Sequence, residues 1–167
     1  MATKIKTGMR RWSDLRGLAV MIPSEGKKAG TVEDFYFDTE SSEIYALRIK
    51  VGLAGYQALT SNAISTIEPD KITIVNPQML IDERHDGRLP VLRLGNSLPS
   101  YKVVSERGTD VGTIGSILLA TDPPIALRIT GFELAGDRRN RTFSAHEITS
   151  YGHNVITILD QVAKKLT

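Results

Sequence analysis

Gly26–Val51 reads GKKAGTVEDFYFDTESSEIYALRIKV, and a looser copy returns at Gly108–Gly131 as GTDVGTIGSILLATDPPIALRITG. Each copy runs from a turn glycine through a second glycine four residues on, into an apolar strand, a polar turn and the tetrapeptide Ala-Leu-Arg-Ile. Apolar runs separated by turn residues read as a β-hairpin. A hairpin written twice predicts an all-β chain, mainly antiparallel, made of two similar units.

Inside each hairpin the apolar residues break strict alternation. Val32 has one parity, and Phe35 and Phe37 the other; Ile114 stands in the same way against Ile117 and Leu119. A one-residue slip would turn a whole side-chain set to the wrong face, so a β-bulge is expected near Glu33-Asp34 and near Gly115-Ser116. The bend it brings suits a small closed barrel. The next strand predicts Tyr45, Leu47, Ile49 and Val51 inward, with Ala46, Arg48 and Lys50 outward. In the second copy Ile125, Leu127 and Ile129 face in against Ala126, Arg128 and Thr130. Arg48 and Arg128 thus come out as outward-facing equivalents, either solvated or ion-paired within the chain, or a shared contact for a partner.

Past this strand the copies diverge. Gly52-Leu53-Ala54-Gly55 recurs as Glu133-Leu134-Ala135-Gly136, after which the second copy inserts Asp137-Arg138-Arg139-Asn140-Arg141. Arg138, Arg139 and Arg141 on one loop tip offer forked donors to a phosphate or carboxylate. Both units then close with two short strands about a tight turn, ending at Lys71–Val75 and Val155–Leu159.

The domain organisation follows. Residues 1–12 read as a loose, mildly basic arm, 13–76 as the first barrel, 77–97 as a packed linker with a connecting strand at Leu89–Leu94, 98–160 as the second barrel and 161–167 as a helical end. Units of about 70 to 80 residues bury only about 60 to 65% of their unfolded surface and gain from packing on a twin. Trp12, the only tryptophan, is expected to anchor the start of the ordered chain. Leu159, Val162, Ala163 and Leu166 recur at helical spacing, with Asp160 early and Lys164 and Lys165 late, as the helix dipole favours.

Charge and composition narrow the function classes. Lys plus Arg against Asp plus Glu is 10 to 9 in residues 1–76, 3 to 3 in 77–97 and 8 to 7 in 98–167, so neither half is a basic domain. Only Arg10-Arg11 and the Arg138–Arg141 loop are local cationic clusters. There is no cysteine for a disulfide or thiolate metal site. The first residues lack the apolar core of a signal peptide, and no run of about 18 apolar residues is long enough for a bilayer. A cytoplasmic chain is expected. His146-Glu147 begins a zinc-helix motif, but Ser150 stands where the second histidine belongs. The glycines at 108, 112 and 115 lack dinucleotide spacing. No catalytic, cofactor or metal residues are assigned.

The pattern from Gly26 through Asp38 and the Ala46–Val51 strand to Leu59-Thr60-Ser61-Asn62-Ala63-Ile64 and Ile72–Val75 resembles the PRC-barrel domains, over about residues 14–76 and more weakly over 98–160. The second copy departs at Ala120, which stands where Asp38 does in the first, and at the arginine insertion. The resemblance implies two tandem PRC-type barrels acting as a non-catalytic adaptor for another protein, of the kind found in stand-alone prokaryotic proteins. Arg48, Arg128, Arg138, Arg139 and Arg141 are the candidate contacts. The alternatives are an RNA- or ribosome-associated factor using Arg138–Arg141 and a membrane-peripheral adaptor. A homodimer is a further option for the partner.

Overall fold

The computed structural model describes residues 8–136 and 141–167. Strand β1 (Met9–Arg11) and helix α1 (Trp12–Leu15) lead into a first set of strands, β2 (Ala19–Ile22), β3 (Lys27–Phe37), β4 (Ile44–Lys50), β5 (Tyr56–Thr60), β6 (Thr66–Ile67) and β7 (Lys71–Thr73). The connecting stretch carries β8 (Ile81–Asp82) and β9 (Arg93–Leu94). A second set follows: β10 (Lys102–Ser105), β11 (Asp110–Ala120), β12 (Arg128–Leu134), β13 (Thr142–Ser144), β14 (Ile148–Tyr151) and β15 (Val155–Ile158), then helix α2 (Asp160–Leu166).

One pairing order is written twice, β6-β7-β2-β3-β4-β5 and β14-β15-β10-β11-β12-β13. In each set one pair is parallel, β2 with β7 and β10 with β15. The first and last strands of each six-strand order are consecutive in the chain, joined through the 3-10 turns Ser61–Ala63 and Ala145–Glu147. Each set therefore returns the chain from its last strand to its first across one short turn. The expected bulges are there: register shifts fall between Val32 and Asp34 and between Ile114 and Ser116.

A second shift, between Tyr36 and Phe37, skips Tyr45, and its counterpart between Leu118 and Leu119 skips Thr130. The inward set of β4 is accordingly Ile44, Leu47 and Ile49, all buried, and Tyr45 turns to the outer face. The register also corrects the tetrapeptide match. Leu47 pairs with Phe35 and Phe132 with Ile117, whereas the repeated leucine, Leu127, lies five residues before Phe132. The cause is Pro123-Pro124: Pro124–Ala126 forms a 3-10 turn, because proline lacks the N–H a ladder needs. Ile125 is spent in that turn and stands 69% exposed instead of facing in. Arg48, opposite Asp34, thus answers to Glu133, opposite Ser116, and Arg128 answers to Glu43.

This correspondence exposes the seam between the units. Glu43 and Arg128 face each other in an isolated antiparallel bridge. The Ile44 N–H donates to the Leu127 carbonyl at 3.0 Å, and the Ile129 N–H donates to the Ser42 carbonyl at 2.9 Å. Equivalent residues exchange equivalent bonds, as about a local twofold axis. Below the seam lies one continuous core: Phe35, Phe37 and Leu47 of the first set and Ile117, Phe132 and Ile156 of the second belong to a single buried cluster. The Tyr151 ring spans the two, with centroids 5.6 Å from Phe37 and 6.5 Å from Phe132.

The segments before each unit are exchanged. Met9–Arg11, expected in the loose arm, forms β1 and pairs with β11 of the second unit; residues 1–7 lie outside the described residues. β9, just before the second unit, pairs with β3 of the first. The rest of the expected connecting strand is not a strand, since Leu89-Pro90-Val91 forms a 3-10 turn. Arg10 pairs with Leu119 and Arg93 with Phe37, equivalent positions, and both arginines do the same work. Arg10 Nη1 donates to the Glu68 carbonyl at 2.7 Å, and Arg93 Nη1 to the Gly152 carbonyl at 2.8 Å. Each cation reaches from a strand on one unit's sheet to the closing turn of the other.

Trp12 anchors this crossing, as expected. Its Nε1 donates to Asn96 Oδ1 at 2.7 Å, and its ring meets Phe35 edge-on at 4.7 Å. Asn96 in turn donates Nδ2 to the Glu33 carbonyl and its backbone N–H to Asp34 Oδ1.

A candidate interaction surface

The outer face of the first sheet is covered by its own chain. Tyr36, Ala46 and Ala58 pack against Leu89, with Tyr45, Ile81, Leu92 and Leu94 around them. The stretch is fixed there by Glu83, which accepts from Arg48 Nε at 2.8 Å and from the Tyr36 hydroxyl. Burial, with that bond to Glu83, pushes the Tyr36 phenol well above its ordinary range. Arg48 also lies 4.0 Å over the Tyr56 ring. Arg48, one of the candidate contacts, is thus engaged in an intramolecular ion pair with Glu83.

Asp34, opposite Arg48, is buried in the bulge. Its Oδ1 accepts from the Phe35 and Asn96 N–H groups at 2.7 and 2.9 Å. Burial raises its pKa despite those bonds and the nearby arginines. The carboxylate is thus a tie point for the linker.

The other arginines separate. Arg141 Nη2 donates to the Val111 carbonyl at 2.6 Å and its Nε to the Leu166 carbonyl at 3.1 Å, tying β13 to the start of β11 and to the end of α2. Arg138 and Arg139 lie outside the described residues. Arg11 is held by Glu133, with Nε and Nη2 donating at 2.7 and 3.1 Å. Arg128 is exposed, donates only to the Ala126 carbonyl at 3.3 Å, and makes no ion pair among the described residues.

Arg128 stands in a groove of 470 Å³ along the seam, lined by Asp38, Glu43, Tyr45, Arg88 and the exposed Ile125 among others. Arg88 lies 4.3 Å over the Tyr45 ring, whose hydroxyl donates to Asp86 Oδ2 at 2.6 Å. That bond to Asp86, with burial, raises the Tyr45 phenol above its ordinary value. The groove joins one large apolar side chain to charges of both signs. Sequence pattern singled out Arg128 but missed Ile125, which its parity placed inside, and Arg88, which had no motif to mark it.

His146 and Glu147 have a local role. The Glu147 carboxylate accepts from the Ser144 N–H and Oγ, both at 2.9 Å, and the backbone bond comes first in holding Glu147 below its ordinary pKa. Among the described residues no three His, Asp or Glu side chains are grouped to hold a metal.

The sequence model of the PRC-barrel domain matches residues 7–81, from just before β1 to the first residue of β8. Over residues 7–81 the chain is similar to the PRC-barrel domains. A PRC-barrel domain is a protein-interaction type of module, from a family that is generally non-catalytic. The matched span ends where the covering stretch begins its pairing with β5, and the second set of strands repeats the pairing order of the first outside that span. None of the curated proteins compared with the chain is similar to it. No helix among the described residues is long and apolar enough to cross a membrane.

Proposed function

We propose that the chain is a non-catalytic adaptor that binds another protein, with the seam groove around Ile125 and Arg128 as its contact. The observation that carries this reading is the exposed Ile125 beside Arg128, at a junction that only the paired units create. A few side chains carry most of the energy in protein interfaces, arginine among the types enriched there, with neighbouring contacts that exclude water. Further support comes from the interiors, where Phe35, Phe37 and Phe132 fill the space a small-molecule site would need.

The experiment is affinity capture of the tagged chain from its native cells, with and without nuclease, repeated with Ile125→Asp and Arg128→Glu. Protein partners that survive nuclease and are lost with either substitution are the expected outcome. A catch that vanishes with nuclease, or one that both variants retain, overturns the reading.

A further inference from the structure

We propose that the outer edge of β13 takes up an extended segment of a partner protein as an added strand, apolar opposite Thr142 and uncharged beside Glu133. The chain carries the template for this in its other half. β5, the counterpart of β13, is completed by β8, in which Ile81 pairs with Ala58 and Asp82 with Gln57. Ala58 pairs with Arg48 and Thr142 with Glu133, so Thr142 occupies the position of Ala58.

The backbone of β13 is turned to receive such a strand. The Leu134 N–H donates to the Arg141 carbonyl at 2.9 Å, which sets the ladder alternation between β12 and β13. One residue on, the Thr142 N–H and C=O therefore point away from β12. Thr142 is exposed, and among the described residues no strand pairs with this edge. Two positions along, the outward N–H of Ser144 is already capped by Glu147, which limits the docking site to a short stretch centred on Thr142.

Side-chain preference follows from the same comparison. In the first unit Ile81 packs over Ala46 and Ala58, and Glu83 meets Arg48. At the corresponding positions stand Gly131, Thr142 and Glu133. The Phe143 carbonyl lies 2.5 Å from where a Cβ on Gly131 would stand, so the apolar contact falls at the exposed Thr142. Glu133 already takes both donors of Arg11, so it leaves no charge for an incoming residue to match. Main-chain bonds with one shallow apolar contact are the signature of strand addition. The kind of partner rests on the adaptor reading, but the surface is separate from the seam groove.

The test uses the whole labelled chain, titrated with a synthetic peptide of the sequence Asn76–Asp86 carrying Glu83→Gln. The native β8 occupies β5 at high effective concentration, so the free peptide meets only the open edge. Saturable amide shifts at Thr142, Phe143 and Phe132 are expected, without shifts at Gln57 and Ala58. Thr142→Pro keeps the bonds to β12 but removes an outward donor, and should weaken binding about tenfold or more. Should that variant lose its fold, the same peptide methylated on the Ile81 and Asp82 backbone nitrogens makes the comparison on the unaltered chain and should not bind. No saturable shift at β13, shifts at β5 instead, or undiminished binding of the methylated peptide would each overturn the proposal. The seam substitutions leave this result unchanged, so its failure and that of the adaptor reading are told apart.

Discussion

A Cβ added at Gly95 would come within 2.0 Å of the Phe35 ring, which is itself fully buried. The ring cannot retreat, because Trp12 packs on it edge-on. Gly95→Ala is expected to cost about 1–3 kcal/mol, as overpacking of a full core does, read as a lower midpoint in urea. Asp34 makes a second prediction at this scale. Its folded-state pKa is raised, so between the unfolded and folded values the native chain holds a proton that the unfolded chain has released. The contribution is fully present below the unfolded value and is lost as pH rises through the folded one. Asp34→Asn keeps an oxygen for the Phe35 and Asn96 N–H groups and should flatten this part of the stability–pH curve. Urea titrations of both proteins across the weakly acidic range check it; parallel curves would show that Asp34 is not the source.

Among elements, the exchanged strands carry the sharpest expectations. Arg93 is 59 residues from Gly152 in sequence, yet its guanidinium holds that carbonyl. Arg93→Ala should cost about 1–3 kcal/mol, the range for hydrogen bonds from charged groups. It should also lower amide protection at Gly152 and Val155 more than at its own neighbours, by hydrogen exchange. Arg141→Ala should loosen α2 in the same range, since two carbonyls on different elements lose their donor. Legibility also divides by element. Bulges, closing pairs and the final helix were readable because parity, turn residues and helical spacing are local signals. The register of β12 was not, because Ala-Leu-Arg-Ile at Ala126–Ile129 imitates Ala46–Ile49 while Pro123 and Pro124 move the strand start. The exchange of β1 and β9 was hidden for a different reason. Their partners lie on the other unit, and nothing within three residues announces a partner more than fifty positions away.

For the whole molecule, one core, one twofold-like seam and two exchanged strands imply one cooperative unit. Two independent barrels would melt separately. This chain should instead unfold in a single transition, with Trp12 fluorescence, which reports on the Asn96 crossing, coinciding with far-ultraviolet circular dichroism. Separated midpoints would show that the units keep their own stability. The candidate surface belongs to this scale as well. Ile125 and Arg128 come from the second unit while Asp38, Glu43 and Tyr45 come from the first, so no reading of either half alone assembles the groove.

The exchange also bears on how the chain is made. During synthesis the first unit emerges before Arg93 and Asn96 exist, so β3 must wait for residues translated well after its own sheet is complete. β1 waits longer still, for Leu118–Ala120. A nascent chain stalled in between would present Trp12 and the flank of β3 bare to the cell. It is there, rather than on the finished protein, that a chaperone would find its grip.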